Sequence, residues 1–365
     1  MGEDMHYSVN NGNVNFSLPK SMNSLYLVGT FTHWQVQDSF KLELVNERLM
    51  LSKPFSEFNK IGNSGYVEYV IWDETLCSPL PFDNSTPQGH YFNNQFNQGY
   101  NYLLFPTQPS KLQCEKISKA SKQSFKIKNT SESFSSKEQL ANFRPVLGGT
   151  LKRGCIFPSY HPVVQSRASH LQLQAIEIKR QAAAMVLIEK HRIHSVINLS
   201  DSRQALESFM PKLPSSYYKT CWDEQRIHSL PVAYETVYFM SDRNEKFNDE
   251  ELGFQDGIRR LITLIANHKG PYLVHCRLGS DRTGVMSAFL QLFMGASKAE
   301  VKDSYLITNE LGIGEYRSFR LLEYALQACL GLDCFESGKQ SVDAYLMKLG
   351  ISKAVCQQAE MNLSR

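Results

Sequence analysis

The sequence predicts a small all-β sandwich followed by an α/β domain, whose mainly parallel central sheet is flanked by helices. Between residues 25 and 105, short alternating runs of apolar and polar residues are separated by Gly, Asn, Asp and Pro. From residue 143 onwards, apolar strand candidates alternate with amphipathic helix candidates. The 365 residues suffice for two separate hydrophobic cores. We therefore expect a β-sandwich over 1–106, a Lys/Ser-rich linker over 107–142 and the α/β domain over 143–365.

The strands of the first part are predicted at 25–28, 41–45 and 66–72, because alternation with turn residues between runs is typical of antiparallel strands. The middle segment is rich in Lys, Ser and Gln and has few large apolar residues. It reads as a solvated linker, and an acidic partner for its lysines is the alternative.

The third part carries two strand candidates, at 194–199 and 272–274, among three helix candidates. The helices are predicted at 170–192, 254–266 and 284–292 from their apolar periodicity. Strands that alternate with helices predict a parallel sheet covered on both faces.

Charge and cysteine content exclude several classes of protein. The net charge of +3 gives no general attraction to nucleic acid, and no apolar run reaches membrane-spanning length. The eight cysteines include no CxxC pair, which argues against a zinc site and favours a reducing compartment. We expect a cytoplasmic protein, or one delivered to a host cytosol if it is a bacterial effector.

The segment from Tyr272 to Gly284 carries the residues that indicate chemistry. It joins an apolar strand, a polar loop and a helix start, and ligands of open α/β sheets bind at the carboxyl ends of strands. A helix N-terminus there offers N–H groups and the positive end of the helix dipole to an anion. We expect Arg282 to bind the same phosphate with a bidentate guanidinium. The residues expected to line the phosphate site are Arg277, Leu278, Gly279, Ser280, Asp281 and Gly284.

Cys276 lies at the start of this loop, where a positive field favours the thiolate. A thiolate below a bound phosphate is placed for in-line attack and a phosphocysteine intermediate. Thr283 is expected to donate a hydrogen bond to the sulfur when it leaves, and His275 to orient the loop. The alternative is a buried Cys and a salt-bridged Arg on an ordinary strand–helix turn, which the surrounding His, Thr and Gly make less favoured.

The segment from His275 to Gly284 resembles the signature loop of the protein tyrosine phosphatase superfamily, His-Cys-x5-Arg-Ser/Thr-Gly. Its Asp-Arg-Thr-Gly ending is most similar to bacterial tyrosine and lipid phosphatases with His-Cys-x-Ala-Gly-Lys-Asp-Arg-Thr-Gly. Three further segments are similar to parts of that family: 149–159, 194–200 and 345–352. The resemblance covers residues 143–363 and implies four or five central strands, with no metal or cofactor.

Hydrolysis of a phosphate ester also needs a proton for the leaving oxygen. Asp242 is the first candidate, because dual-specificity phosphatases carry their acid a few residues before a Phe and about thirty before the Cys. Asp281 is the competing candidate, since myotubularin-like phosphatases carry an Asp at this place in the loop. Residues 249–251 are acidic as well, and read as ordinary first-turn acids of the next helix.

The segment 25–34 resembles the opening of starch- and glycogen-binding modules, and 66–73 resembles a later strand of such modules. Tyr69 stands where that family has a sugar-contacting Lys, and Leu76 where it has a stacking Trp. Trp34 and Trp72 can therefore equally be core residues. We favour a scaffold or partner-binding role for this domain, with glycan binding as the alternative.

Three functions are considered. The favoured one is a phosphatase acting on phosphotyrosine in proteins, with or without dual specificity. The second is a phosphatase of phosphoinositides, inositol phosphates or phosphoglucans, for which the loop has a cation at Arg277 but none at Ser280. The third is a phosphate-binding interaction protein without turnover. Four basic residues are considered as rim cations or as ordinary solvated charges: Arg243, Lys246, Arg317 and Arg320.

Overall fold

The computed structural model of the chain describes residues 6–32, 34–59, 65–94, 99–124, 126–233, 249–315, 317 and 319–364. It divides into two compact units. The first comprises residues 1–126 with 314–316, and the second comprises 127–313 with 317–365.

The first unit contains nine strands and two α-helices within its described residues. The strands are β1 (Tyr7–Asn10), β2 (Asn13–Pro19), β3 (Leu25–Gly29), β4 (Glu43–Val45), β5 (Arg48–Pro54), β6 (Val67–Asp73), β7 (Ser78–Pro79), β8 (Tyr91–Asn94) and β9 (Gly99–Leu104). The helices are α1 (Phe55–Phe58) and α2 (Lys111–Ser124). One sheet has the order β1-β2-β5-β4 and the other β3-β6-β9-β8, with β7 beside β6. Every pairing is antiparallel.

Alternate residues of both sheets share one apolar core. Phe16 of β2, Leu27 of β3 and Tyr69 of β6 are buried in it, and the Phe16 and Tyr69 rings meet edge to face at 5.2 Å. The side chains of the two sheets thus fill a common interior, as in a sandwich.

The second unit contains four strands and eleven α-helices within its described residues. The strands are β10 (Ile156–Ser159), β11 (Ser195–Asn198), β12 (Ile227–Ser229) and β13 (Tyr272–His275). The helices are α3 (Lys137–Leu140), α4 (Gln174–Lys190), α5 (Arg203–Phe209), α6 (Tyr217–Asp223), α7 (Phe254–Asn267), α8 (Asp281–Phe293), α9 (Lys298–Leu306), α10 (Phe319–Leu330), α11 (Cys334–Ser337), α12 (Lys339–Lys348) and α13 (Lys353–Ser364).

The four strands form one parallel sheet in the order β10-β13-β11-β12. Consecutive residues of β13 enter different cores: Tyr272 and Val274 lie in the core that includes α7 and α8, and Leu273 in the core that includes α4. Helices therefore cover both faces. The expected fold class, antiparallel β-sheets followed by a parallel sheet with helices, is confirmed.

The register aligns the carboxyl ends of three strands. Ser159 of β10 and Asn198 of β11 both lie opposite His275 of β13. The segments that follow these strands therefore meet at one edge of the sheet, which is where the Cys276 loop begins.

Some boundaries differ from those expected. α8 begins at Asp281 rather than Gly284, because Gly284 N–H already bonds to the Ser280 carbonyl and the acidic Asp281 suits a first helical turn. The expected linker over 107–142 contains α2 and α3, and Leu140 lies in the core of the second unit. The domain limits taken from composition stay a prediction.

Candidate active site

Cys276 directly follows β13 and lies at the base of a loop that ends in the first turn of α8. Its thiol is not in a disulfide, and only 3% of the residue is exposed. The nucleophile candidate thus lies at the carboxyl edge of the sheet, below a helix N-terminus.

Gly279 makes the tight course of the loop possible. Its φ is +72°, and a Cβ at this position would lie 2.3 Å from the Ser159 carbonyl oxygen. Only glycine combines that backbone conformation with so close an approach. This close approach is made to β10, and the expected approach of Gly279 to a phosphate stays a prediction.

Neighbouring segments bind the loop carbonyls from outside. The Arg277 carbonyl accepts from the His161 N–H at 3.2 Å and from the Ser166 hydroxyl at 2.9 Å. The Leu278 carbonyl accepts from Asn142 Nδ2 at 2.9 Å. Within the described residues, no acceptor is found for the backbone N–H groups of 276–280. Because the carbonyls of the loop are bound by outer segments, the backbone N–H groups of 276–280 are available to bind an anion.

Ser280 is tied to the protein interior. Its hydroxyl is 2.5 Å from the Thr308 hydroxyl, and Asn142 Nδ2 lies 3.0 Å from the same Thr308 oxygen. Arg144 holds the Asn142 carboxamide oxygen at 2.6 Å, and burial lowers the pKa of that arginine to about 10. The loop therefore rests on a polar network supplied by residues before β10 and after α9.

Arg282 lies in the first turn of α8. Its Nη1 donates to the carbonyls of Leu199 and Val232, each at 3.2 Å. These carbonyls follow β11 and β12, so the guanidinium is fixed at the same edge of the sheet as Cys276. A guanidinium placed in this way can bind a phosphate in the loop.

Asp201 is a buried carboxylate beside the loop. Its Oδ1 accepts from Arg277 Nη2 at 2.6 Å, and its Oδ2 accepts from the Ser200 hydroxyl at 2.8 Å. Its Oδ2 also lies 2.8 Å from His161 Nε2. Burial acts to raise the pKa of Asp201, but the hydrogen bond from His161, the charge of Arg277 and the hydrogen bond from Ser200 outweigh it and hold this pKa well below its ordinary value.

Burial disfavours the charged form of two imidazoles beside Asp201. Burial lowers the pKa of His161 despite the raising effect of Asp201. Burial, with a smaller contribution from His161, holds the pKa of His275 well below its ordinary value. The two rings meet edge to face at 4.6 Å, and His275 Nδ1 lies 3.3 Å from the Cys276 carbonyl oxygen. His275 thus packs behind the loop, in keeping with an orienting role.

The Asp281 carboxylate is bound in a buried ion pair. Arg317 binds it through Nε and Nη2, at 3.0 and 3.1 Å, and both side chains are buried. Arg317 and Arg320 are 4% and 5% exposed, so the expectation that they are rim or solvated surface charges is wrong. They are buried because α10, which contains Arg320 and begins two residues after Arg317, packs beside α8.

Thr283 and Gly284 follow Arg282 in the first turns of α8. Thr283 is fully buried, and its hydroxyl has no hydrogen-bond partner among the described residues. A Cβ at Gly284 would lie 2.8 Å from the Tyr305 ring, so glycine here serves helix packing.

Asp242, the first candidate for the general acid, lies outside the described residues, as do Arg243 and Lys246. Residues 249–251 precede α7, whose first turn carries Asp256 instead. The interpretation of residues 249–251 as acidic residues in the first turn of this helix is therefore wrong, because the helix begins about one turn later.

Sequence reasoning missed Asn142, His161 and Asp201. A signal existed for Asp201, because it is a polar residue just after the strand candidate at 194–199, at the edge where ligands bind. His161 follows β10, which was not among the strand candidates. Asn142 gave no such signal, since it lies in the segment read as a linker.

In the first unit, the two tryptophans pack beside Tyr26, Val28 and Val70 and are partly buried. Leu76 is 64% exposed. Tyr69 is 2% exposed, and its hydroxyl lies 3.4 Å from His6 Nδ1. Tyr69 and Leu76 occupy the positions where starch-binding modules have a sugar-contacting Lys and a stacking Trp. Neither of them thus presents a sugar-binding side chain.

The described residues offer neither a metal site nor a membrane span. They include no cluster of three or more His, Cys, Asp or Glu side chains arranged to hold a metal ion. Nor, within the same residues, is any helix long and apolar enough to cross a bilayer.

The chain is similar to a known protein family and to a solved structure. The model of the family described as "Tyrosine phosphatase family" matches residues 179–363. One similar solved structure is that of TpbA from P. aeruginosa, with 13% identity and a TM-score of 0.26, covering 63% of this chain and 100% of that chain. No match to a curated protein is found.

Proposed function

Because the chain belongs to the tyrosine phosphatase family, a family of cysteine-dependent phosphatases, we propose that it hydrolyses phosphotyrosine in proteins through a phosphocysteine on Cys276. The observation that carries this proposal is the orientation of the loop. Its carbonyls at Arg277 and Leu278 are bound from outside, and the N–H groups of 276–280 have no acceptor among the described residues. A phosphate can accept hydrogen bonds from these N–H groups.

In the first step, the Cys276 sulfur attacks phosphorus in line with the ester oxygen. The P–S bond forms as the P–O bond breaks, and a carboxylic acid gives its proton to the leaving oxygen. Arg282 and the loop N–H groups bind the non-bridging oxygens and stabilise the charge that develops on them.

In the second step, water attacks phosphorus and the P–S bond breaks. The carboxylate formed in the first step takes the proton from the water, and the sulfur leaves as a thiolate. Thr283 is the proposed hydrogen-bond donor to that thiolate, since its buried hydroxyl has no partner among the described residues.

We assign the acid role to Asp242 rather than Asp281. The bidentate ion pair with Arg317 uses the Asp281 carboxylate as a charged acceptor, and an acid must carry a proton. The pH profile of Asp242→Asn tests this: the alkaline limb of kcat should disappear. If it persists there and disappears in Asp281→Asn, the assignment is wrong.

The contacts of the loop favour phosphotyrosine over inositol lipids. Arg277 is paired with Asp201, and the Ser280 hydroxyl is bonded to Thr308. Neither position therefore offers a free cation to a second phosphate. Dual specificity, with phosphoserine as a further substrate, remains part of the proposal.

The test is phosphate release from a panel: phosphotyrosyl and phosphoseryl peptides, phosphoinositides and phosphorylated amylopectin. We expect the highest kcat/KM with the phosphotyrosyl peptide and no turnover in Cys276→Ser. Higher kcat/KM with a lipid or a glucan would overturn the substrate class. Phosphate binding without turnover in the wild type would instead favour an interaction protein.

For the first unit we propose a scaffold or partner-binding role rather than sugar binding. The exposed Leu76 and buried Tyr69 stand where a starch-binding module has its sugar-contacting side chains. Sedimentation with amylose or glycogen tests this, and retention of the full chain by either glucan would contradict it.

A further inference from the structure

We propose that Asp201 is a specificity-determining positioning residue, which withholds the Arg277 cation from substrates and so restricts the site to isolated phosphate groups. This inference rests on the proposed function and concerns the same loop. It follows from the different hydrogen-bond partners of the two carboxylate oxygens of Asp201.

The Oδ2 atom of Asp201 is held by the fold. Asn198 Nδ2 and the Ser200 hydroxyl bond to it at 3.2 and 2.8 Å. His161 Nε2 lies at 2.8 Å. The Nδ1 of that histidine accepts the N–H groups of Val163 and Val164, each at 3.0 Å, so Nε2 carries the proton and donates it to Asp201.

The Oδ1 atom of Asp201 is left for Arg277, whose Nη2 lies 2.6 Å away. Because three donors of the fold already fix the carboxylate, Arg277 is the member of the pair that depends on the other. Loss of the Asp201 charge would release the guanidinium, whereas loss of Arg277 would leave the carboxylate in place.

Only the side chain of Arg277 would be released. Its carbonyl is fixed by the His161 N–H and the Ser166 hydroxyl, so the loop backbone does not depend on the ion pair. The side chain is 37% exposed, and its Nη1 is buried with no partner among the described residues. The guanidinium of Arg277 therefore lies partly against the protein, and the side chain is long enough to turn it outward.

The charges of the cluster add up in a simple way. Asp201 and Arg277 carry opposite charges that cancel. The His161 ring is neutral because its Nδ1 accepts two N–H groups, and burial disfavours the charged form of His275. In this cluster, Asp201→Asn adds one uncompensated cation at the first loop position after the cysteine. A substrate with further phosphates gains a charge-assisted contact from it, and an isolated phosphate in the loop gains little.

The experiment compares two inhibitors of phosphotyrosyl peptide hydrolysis, inorganic phosphate and myo-inositol hexakisphosphate. In Asp201→Asn, we expect the ratio of the hexakisphosphate Ki to the phosphate Ki to fall about tenfold. Asp201→Asn with Arg277→Gln should return the ratio to the wild-type value. Glu207→Gln, at an exposed carboxylate of α5, makes the same change in net charge and should leave the ratio unchanged.

An unchanged ratio in Asp201→Asn, with both Ki values raised together, would reduce Asp201 to a structural residue and overturn the proposal. If that variant does not fold, the double variant decides, because it leaves no unpaired buried charge. A double-variant ratio above the wild-type value would mean that Arg277 already contacts outer phosphates, and would also overturn the proposal.

Failure of the proposed function is distinguishable from failure of this inference. If the wild type hydrolyses no phosphotyrosyl peptide, the proposed function fails. The affinities of the two inhibitors can still be measured by calorimetry with the Cys276→Ser chain carrying the same substitutions. Their ratio then tests Asp201 without turnover.

Discussion

Arg317 binds both carboxylate oxygens of Asp281, and this buried ion pair joins the segment before α10 to the first turn of α8. The two residues are 36 positions apart in the sequence. The first turn of the helix that carries Arg282 and Thr283 is thus fixed by a charge from a distant segment.

Arg317→Ala should lower the free energy of unfolding by about 3–5 kcal/mol, because it leaves the Asp281 charge buried without its main partner. Asp281→Asn combined with Arg317→Gln should cost less than Arg317→Ala, since neither charge then remains. Urea denaturation of the three proteins measures both effects. Equal losses in the single and the double variant would mean that the ion pair itself is not what stabilises the turn.

Gly279→Ala should lower kcat/KM by about 100-fold or more, because the new Cβ would meet the Ser159 carbonyl and displace the loop. Gly295→Ala is the matched control, since Gly295 also has a positive φ, of +79°, but nothing lies within 4 Å of its Cβ position. That control should lose about 1 kcal/mol of stability and keep its activity. Comparable kinetic losses in both would trace the effect to backbone strain rather than to the contact.

Asn142→Ala should lower kcat about tenfold, because it removes the donor that holds the Leu278 carbonyl and the Thr308 hydroxyl. Steady-state kinetics with a phosphotyrosyl peptide measure it. Asn267→Ala, at an exposed position near the end of α7, is the control. A fully active Asn142→Ala protein would show that the loop keeps its shape without this support.

The stability of the second unit should fall as the pH is lowered from 6.5 towards 4. Burial, with smaller effects of His268 and His194, lowers the pKa of His228 to about 4. The unfolded chain therefore takes up a proton at its ordinary pKa, before the folded chain does, and acid favours unfolding. Urea denaturation at pH 7, 6 and 5 should show a smaller loss for His228→Asn than for the wild type. An identical pH dependence would remove His228 as a source of the effect.

The sequence was sufficient to predict the fold class because each part has a regular apolar period. The runs of apolar and aromatic residues in β3, β6 and β13 are local properties of a few residues. The Cys276 loop was predictable for the same reason, since strand, loop and helix are contiguous in the chain.

The supports of the loop were not predictable, because they come from distant segments. Nothing near Asn142 indicates that its amide reaches Leu278, 136 residues later. Likewise, the burial of Arg317 depends on the packing of α10, and an isolated arginine in a sequence is more often exposed.

The loop that would bind the anion is held by Asn142, His161 and Ser166, all of which precede it by more than a hundred residues. Its geometry therefore exists only after the second unit has folded around it. An anion that occupies it binds the folded chain and not the unfolded one, so anion binding and folding are thermodynamically linked. Vanadate or phosphate should then raise the melting temperature in proportion to the logarithm of its concentration, and the catalytic loop would report on the integrity of the whole unit.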